Sequence, residues 1–428
     1  MKPASRIQAT IDILGKGHLS RVPLDTTVGD YMRVRRYIGS KDRSEIAERV
    51  YNVTRAHARL HWWLEKLKIE AAPRNRVIAW LMLGETFTLK RLTDLFDGSK
   101  YAPEELSGEE IECAKSLEGK NLDNKDMPES VRAECPQDYE KTLRSLFGKD
   151  FLKEMQAMLT PAPLDLRVNL FLADKEKVMK FLEADNVRTQ ETPFSPWGLR
   201  CEGKAFLSRT KASQKGWIEI QDEGSQLIAY LCGAKPGMQV LDYCAGAGGK
   251  TLALASAMQR KGRIVAMDTD EKRLMKGRER YKKAQLADII EVRPLSDDRH
   301  RRWLKRQKGT FDLVLLDVPC SGTGTWRRNP DMRWRTYGPS LEELKTIQSE
   351  IIEKASPCVK PGGTLVYATC SLLEDENEKQ IEKFLAAHPE FEIDPLDPTQ
   401  GIGSPFMRLT PARHSTDGFF AARLRRKS

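Results

Sequence analysis

Apolar residues along this chain follow first a helical and then an alternating strand-and-helix pattern. In Ser44–Leu67 and Arg74–Phe87 they recur three and four positions apart, the spacing of one helix face, so the first hundred residues are predicted to form a small helical bundle. His57, His61, Trp62 and Trp63 lie on that stripe and are read as packing, because aromatics at helical spacing more often fill a core than stack on bases. Residues 98–150 are rich in Gly, Glu, Asp and Pro, with little apolar content over Leu117–Pro128, which predicts an irregular connection and a domain boundary. From Pro163 the pattern changes to a short strand (Leu166–Phe171), a helix (Lys175–Ala184) and strand-like pieces around Gly198–Leu207 and Trp217–Gln221, a small α+β module. This module could touch RNA through the basic stretch Gly203–Gly216, or serve as a packing adaptor for the next domain.

From Pro236 strands and helices alternate regularly. Strands are predicted at Gln239–Tyr243, Arg263–Asp268, Ile289–Arg293, Phe311–Asp317 and Gly363–Thr369, with helices at Gly249–Gln259 and Glu271–Gln285 and another starting at Ser340, where Glu343 completes a capping box. Such βαβ units give an α/β fold, a Rossmann-like parallel sheet covered by helices, with ligands at the carboxyl ends of the strands. Phe406–Leu409 and Gly418–Leu424 read as strands that close the sheet antiparallel. The expected domains are therefore 1–150, 160–235 and 236–428.

Composition narrows the function. The net charge of +10 suggests a polyanionic partner, and its distribution sharpens this: residues 1–100 carry 19 basic and 11 acidic side chains, residues 101–150 carry 7 and 13. No stretch approaches the roughly 18 apolar residues of a membrane span, and Met1–Leu14 lacks the apolar core of a secretory signal, so a cytoplasmic protein without membrane association is expected. None of the cysteines forms a C-x-x-C pair, which predicts reduced thiols and no metal site.

In Val240–Thr251 (VLDYCAGAGGKT) a strand runs directly into Gly246, Gly248 and Gly249 and then a helix. Small residues let a cofactor approach the backbone, and free amides at the helix start suit an anion or a carboxylate. Asp268 ends the next strand, placed to bind ribose hydroxyls. A phosphate-loop NTPase is the rival, since GGKT and the strand FDLVLLD imitate its two boxes. It fails on spacing, because the loop's first glycine would fall on Cys244. S-adenosylmethionine, with adenosine and an amino-acid end but no phosphates, fits better; Lys250 then serves the site electrostatically or caps local carbonyls.

Two thiols, Cys320 in Asp317-Val-Pro-Cys-Ser-Gly and Cys370 in Thr369-Cys-Ser371, come just after two of the strands and should share the rim of the glycine turn. A pair of cysteines suits a specific chemistry. Carbon 5 of cytosine accepts a methyl group only after a thiolate has added to carbon 6, and a base must then remove the carbon-5 proton. The residues alone do not say which cysteine does which.

DYCAGAGGKT, LLDVPCSGTGTWRRNPDMRW and TLVYATCSLLEDENEKQI resemble the motifs of the Sun/RsmB-type RNA cytosine-5 methyltransferase family, over about residues 160–428. The resemblance implies that Cys370 attacks carbon 6, that Cys320 helps release the product, and that Asp317 orients the cytosine edge. It implies cofactor contacts at Cys244, Ala245, Gly246, Ala247, Gly248, Gly249, Lys250, Asp268 and Asp317, and at a further acidic residue for which Asp297 fits and Asp298 is the rival. It also implies an RRM-like module near 160–235 and a NusB-like bundle in 1–140. The chain departs from the family in having Ala247 where proline is usual, which leaves the turn less rigid.

Arg327, Arg328, Arg333 and Arg335, in the loop after Cys320, are expected to hold RNA phosphates; a second cluster, Arg299, Arg301, Arg302, Lys305, Arg306 and Lys308, is either an RNA contact or a solvated helix face. Small-subunit ribosomal RNA is the leading substrate and transfer RNA the second, with no obligate protein partner evident. The competing readings are an NTPase, a catalytically silent RNA-binding factor and a DNA cytosine methyltransferase. The last needs no second cysteine. His414 and Asp417 are read as structural.

Overall fold

The computed structural model describes residues 1–19, 22–203, 205–334 and 338–428, which form two compact units. The first unit is Met1–Thr160 together with Trp326–Gly338. It is helical: α1 (Pro3–Leu19), α2 (Leu24–Val34), α3 (Ser40–Arg55), α4 (His57–Lys66), α5 (Pro73–Leu83), α6 (Leu89–Leu95), α7 (Gly108–Leu117), α8 (Glu129–Arg132), α9 (Gln137–Phe147) and α10 (Phe151–Ala157). The stretch read as one helix over Ser44–Leu67 is two, broken at Ala56. The buried Glu134 carboxylate produces the break by accepting the N–H groups of Ala58 (2.7 Å) and Arg59 (3.1 Å), so a new helix starts there.

The segment 98–150 is not the irregular connection expected. Ser107 and Glu110 form a reciprocal capping box that starts α7, and Cys113, Ala114 and Leu117 are buried in one core with Leu60, Trp63 and Leu81. The chain divides at Thr160/Pro161 instead. Trp63 packs as expected, 2% exposed with its indole N–H donated to the Leu122 carbonyl, whereas His61 is exposed.

The second unit, Pro161–Thr325 and Pro339–Ser428, holds two sheets. In the smaller, β1 (Asp165–Val168), β2 (Thr189–Glu191), β3 (Gly198–Cys201) and β4 (Ile218–Ile220) pair antiparallel in the order β2-β3-β1-β4. With α11 (Lys175–Ala184) and α12 (Lys211–Gln214) they form the βαββαβ unit expected of an RRM-like module. All four residues of β1 are buried and neither β1 nor β3 carries an aromatic, so this sheet is no open stacking platform for bases.

The larger sheet has the order β10-β12-β9-β8-β5-β6-β7, from β5 (Gln239–Asp242), β6 (Arg263–Asp268), β7 (Ile290–Pro294), β8 (Phe311–Asp317), β9 (Val359–Thr369), β10 (Phe391–Ile393) and β12 (Phe419–Arg426), with β11 (Met407–Leu409) beside β12. Strands β5 to β9 are parallel and β12 runs antiparallel to β9, which is the predicted closure. One face carries α13 (Glu223–Leu231), α14 (Gly249–Ala257) and α15 (Glu271–Lys283); the other carries α16 (Asp298–Lys305), α17 (Leu341–Ala355) and α18 (Glu378–Ala387), and the short α19 (Pro411–His414) precedes β12. Apolar strand residues point alternately into the two cores, Val240 and Ala266 to one, Leu241 and Val265 to the other. Among the described residues no helix is long and apolar enough to cross a membrane, and no cluster of side chains could hold a metal ion.

Candidate active site

Every candidate catalytic side chain sits at the carboxyl end of a parallel strand, where the backbone leaves the sheet and side chains become free to face a ligand. At the end of β5 the chain turns through Gly246 (φ +53°) and Gly248 (φ +80°) into α14. Asp268, at the end of β6, accepts the Gly246 N–H at 2.7 Å and the Asp270 N–H at 2.8 Å, which ties the two strand ends together. A cleft of about 260 Å³ opens here, lined by Asp242, Cys244, Ala245, Ala247, Gly249, Lys250 and Asp317, with Gln221, Ser225, Arg273 and Arg280 from neighbouring elements.

The cleft is a charged place. Lys250 and Asp317 form an ion pair at 2.7 Å, so Lys250 answers a carboxylate and not a carbonyl. Asp242, not singled out from the sequence, is 1% exposed; one oxygen accepts from the Thr251 hydroxyl at 2.6 Å and the other, Oδ1, has no partner among the described residues. Burial pushes its carboxyl up to about 7. Burial, followed by the charges of Asp268, Asp242 and Asp317, likewise pushes the Cys244 thiol well up, so Cys244 is a neutral wall.

Two arginines hold the glycine turn from outside. Arg280 donates to the Ala247 carbonyl at 2.6 Å while paired with Glu219 at 2.8 Å. Arg167, from β1 of the small module and 2% exposed, donates to the Gly249 carbonyl at 2.6 Å and also to Gln221; burial lowers its guanidinium to about 10. The small module thus acts as a packing adaptor beneath the cleft. These clamps restrain the turn that lacks proline at position 247.

Gly248 has a purely structural reason to be glycine: a Cβ there would lie 2.1 Å from the Tyr281 hydroxyl. A Cβ on Gly249 would meet only Gln221 at 3.7 Å and Arg280 at 4.0 Å, so that glycine leaves space in the cleft itself. Asp297 stands apart. It caps α16 through the Arg299 N–H at 2.8 Å and pairs with the Arg299 side chain, which holds its carboxyl down at about 2, and it does not line the cleft. Its rival Asp298 is paired with Arg301.

The two thiols meet. Cys320 comes after β8 and Cys370 after β9, neighbouring parallel strands in which Asp317 lies opposite Ala368, and the sulfur atoms are 3.4 Å apart. Both are free and partly exposed. The Cys370 neighbour and burial together push the Cys320 thiol well up.

Beneath them lies a polar scaffold not anticipated from the sequence. The fully buried Glu376 accepts from the Ser321 N–H (2.8 Å), the Ser321 hydroxyl (2.5 Å), the Ser371 hydroxyl and the Gln348 amide (2.9 Å). Ser321 and Ser371 are each the residue after a candidate catalytic cysteine. Asn377 adds a bond to the Ser371 carbonyl at 2.9 Å, and the Tyr367 hydroxyl donates to the Glu376 carbonyl at 2.6 Å.

The loop arginines fare differently from expectation. Arg327 and Arg333 are 4% and 3% exposed within the helical unit, where Trp326 is fully buried against Tyr139 and Trp334 stacks on His57 at 4.6 Å. A guanidinium buried among helices cannot reach a phosphate, which corrects the expected RNA contact at these two positions. Arg328 is partly exposed and Arg335 lies outside the described residues. Asp417 is 2% exposed and His414 hydrogen-bonds Thr410, both structural as expected.

Comparison with known proteins decides the family. Residues 229–425 match the model of the 16S rRNA methyltransferase RsmB/F family. A probable ribosomal RNA small subunit methyltransferase B from Synechocystis is 33% identical over 72% of this chain and 71% of its own. The chain belongs to the RsmB/F family. The ribosomal RNA small subunit methyltransferase B of Cronobacter sakazakii is 29% identical over 91% of this chain and 92% of its own. The crystal structure of PH0851 superposes with a TM-score of 0.79 at 27% identity, covering 99% of both chains. A member of this family is a methyltransferase, and the methyl donor is S-adenosylmethionine, as the glycine turn and Asp268 led us to expect. The NTPase reading falls.

Proposed function

We propose that this protein methylates carbon 5 of a cytosine in small-subunit ribosomal RNA through a covalent adduct of Cys370 with carbon 6. The observation that carries this reading is the pair of thiols 3.4 Å apart at the ends of β8 and β9, beside a cleft that ends on Asp317. Transfer RNA is the second substrate considered; the names of the relatives favour ribosomal RNA.

The cleft's donor set suits the cofactor. Asp242 with its orphaned oxygen offers a carboxylate to a cationic group, the amides of the turn suit a carboxylate, and Asp268 suits ribose hydroxyls. When bound, S-adenosylmethionine supplies an electrophilic methyl group. Asp297 would take part only after exchanging Arg299 for the ligand.

The protons can be traced through the chain's own residues. Its Cys370 neighbour and burial keep Cys320 protonated at rest. Cys370, the residue to which the family motif assigns the attack, adds to carbon 6 as the thiolate. Electrons pushed into the ring make carbon 5 nucleophilic toward methyl. Once the Cys370 sulfur is bonded to carbon, it no longer opposes a negative charge on Cys320, so the partly exposed Cys320 gives its own proton to solvent more readily before the step that needs a base. Cys320 then takes the carbon-5 proton, the double bond re-forms, and Cys370 leaves as thiolate. Lys250 holds Asp317 in place to orient the cytosine edge.

The test is methylation of total RNA from a strain lacking the gene, using tritiated S-adenosylmethionine and nucleoside digestion. Label in 5-methylcytosine of small-subunit RNA is expected. Label only in transfer RNA shifts the substrate, and no transfer to any RNA leaves a silent RNA-binding factor.

A further inference from the structure

Helix α16 and its C-terminal cap carry a row of arginines whose charge is only partly neutralised. Arg299, Arg302 and Arg306 recur at the spacing of one helix face and line a groove of about 310 Å³. Arg299 is held by Asp297, but Arg302 and Arg306 are exposed and make no ion pair among the described residues. The contrast with the neighbouring helices on the same face of the sheet is informative. On α17, Lys345 pairs with Glu342 and Lys354 with Glu350, and on α18 Lys379 pairs with Asp375. Helix α16 shows the same local pairing at Arg299 and Arg301, with Asp297 and Asp298, but not at Arg302 and Arg306.

We infer that the Arg299–Arg302–Arg306 groove binds the phosphate backbone of the RNA substrate. Three features point to phosphate in particular. Arginine presents a planar fork of donors that matches phosphate oxygens, and all three groove residues are arginine. The row spans about 10 Å along the helix, long enough to track a strand and not only one ion. Its first member stands just after the carboxyl end of β7, on the rim that carries the cofactor cleft, so a strand entering the active site can continue down this flank. Contacts of this kind fix position and supply affinity without reading sequence. The groove also replaces the buried Arg327 and Arg333 as the place where RNA is gripped.

This inference rests on RNA being the substrate, and the experiment separates the two. Binding of a small-subunit RNA transcript is measured against salt for wild type, R302Q/R306Q and R302K/R306K, with cofactor affinity and Tm as controls. Arg299 is left intact because it touches Asp297. The Gln pair is expected to lower the slope of log Kd against log salt by about 2 and to raise KM for RNA, with kcat at saturating RNA, cofactor affinity and Tm unchanged; the Lys pair should keep most of the slope. Wild-type binding with an unaltered slope in the Gln pair overturns the groove alone. A wild type that binds no RNA overturns both the groove and the substrate reading.

Discussion

The sulfur atoms of Cys320 and Cys370 lie 3.4 Å apart although 50 residues separate them in the chain. The closeness has two causes: β8 and β9 are hydrogen-bonded parallel neighbours, and Cys320 is the third and Cys370 the first residue past its strand. The thiols are fixed in register by Glu376, which gathers the serines next to them.

Glu376→Gln should therefore damage chemistry more than cofactor binding. An amide cannot accept from all four donors, because its N–H₂ only donates, and the donors on that side must turn or lose their partner. We expect kcat to fall by about two orders of magnitude with cofactor affinity within a few-fold, and a stability loss of about 1–3 kcal/mol. Steady-state kinetics with calorimetry checks this; unchanged kcat would remove Glu376 from the positioning of the thiols.

Asp242 makes a pH prediction. Its folded carboxyl titrates at about 7, above the roughly 3.9 of an unfolded aspartate, so the folded state binds more protons between those values. Stability from this group is accordingly lost as pH rises from about 4 to about 7. Cofactor affinity should run the other way, rising by up to about tenfold per pH unit below 7 as the carboxylate becomes available to a cationic group. Asp242→Asn should flatten both profiles, measured by thermal unfolding and by titration calorimetry.

The two glycines that open α14 should separate. Gly248→Ala places a Cβ against Tyr281 at a positive φ, and a loss of about 2 kcal/mol or more is expected. Gly249→Ala should fold within about 1 kcal/mol of wild type and bind the cofactor several-fold more weakly, because its Cβ intrudes on the cleft. Equal Tm values for the two would contradict this assignment.

Strands β6 and β8 were legible to the residue, because an apolar run ended by aspartate defines both limits. The glycine turn and the two thiols were legible for the same reason: their placement depends only on where strands end. Glu376 and Asp242 were not, although both stand inside motifs already singled out, because their roles depend on side chains and charges brought in from other elements. Helix α7 carries its own signal, since Ser107 and Glu110 spell a capping box inside the acidic stretch. The passage of Trp326–Gly338 into the helical unit has no local signal at all, so the burial of Arg327 and Arg333 is not legible from their own stretch of sequence.

That passage makes the helical unit dependent on a distant piece of chain. Trp326→Ala should cost about 3–5 kcal/mol, as expected for emptying the site of a fully buried aromatic. Hydrogen exchange should locate the loss around α9, where Tyr139 meets Trp326. Loss of protection confined to the second unit would contradict the placement.

The division of labour between the thiols is tested most directly by trapping the adduct. Cys320→Ala, incubated with substrate RNA and S-adenosylmethionine and run on a denaturing gel, should accumulate an RNA–protein species whose crosslinked peptide contains Cys370, and Cys370→Ala should form none. An adduct formed by Cys370→Ala and attached at Cys320 would contradict the assignment and exchange the two roles.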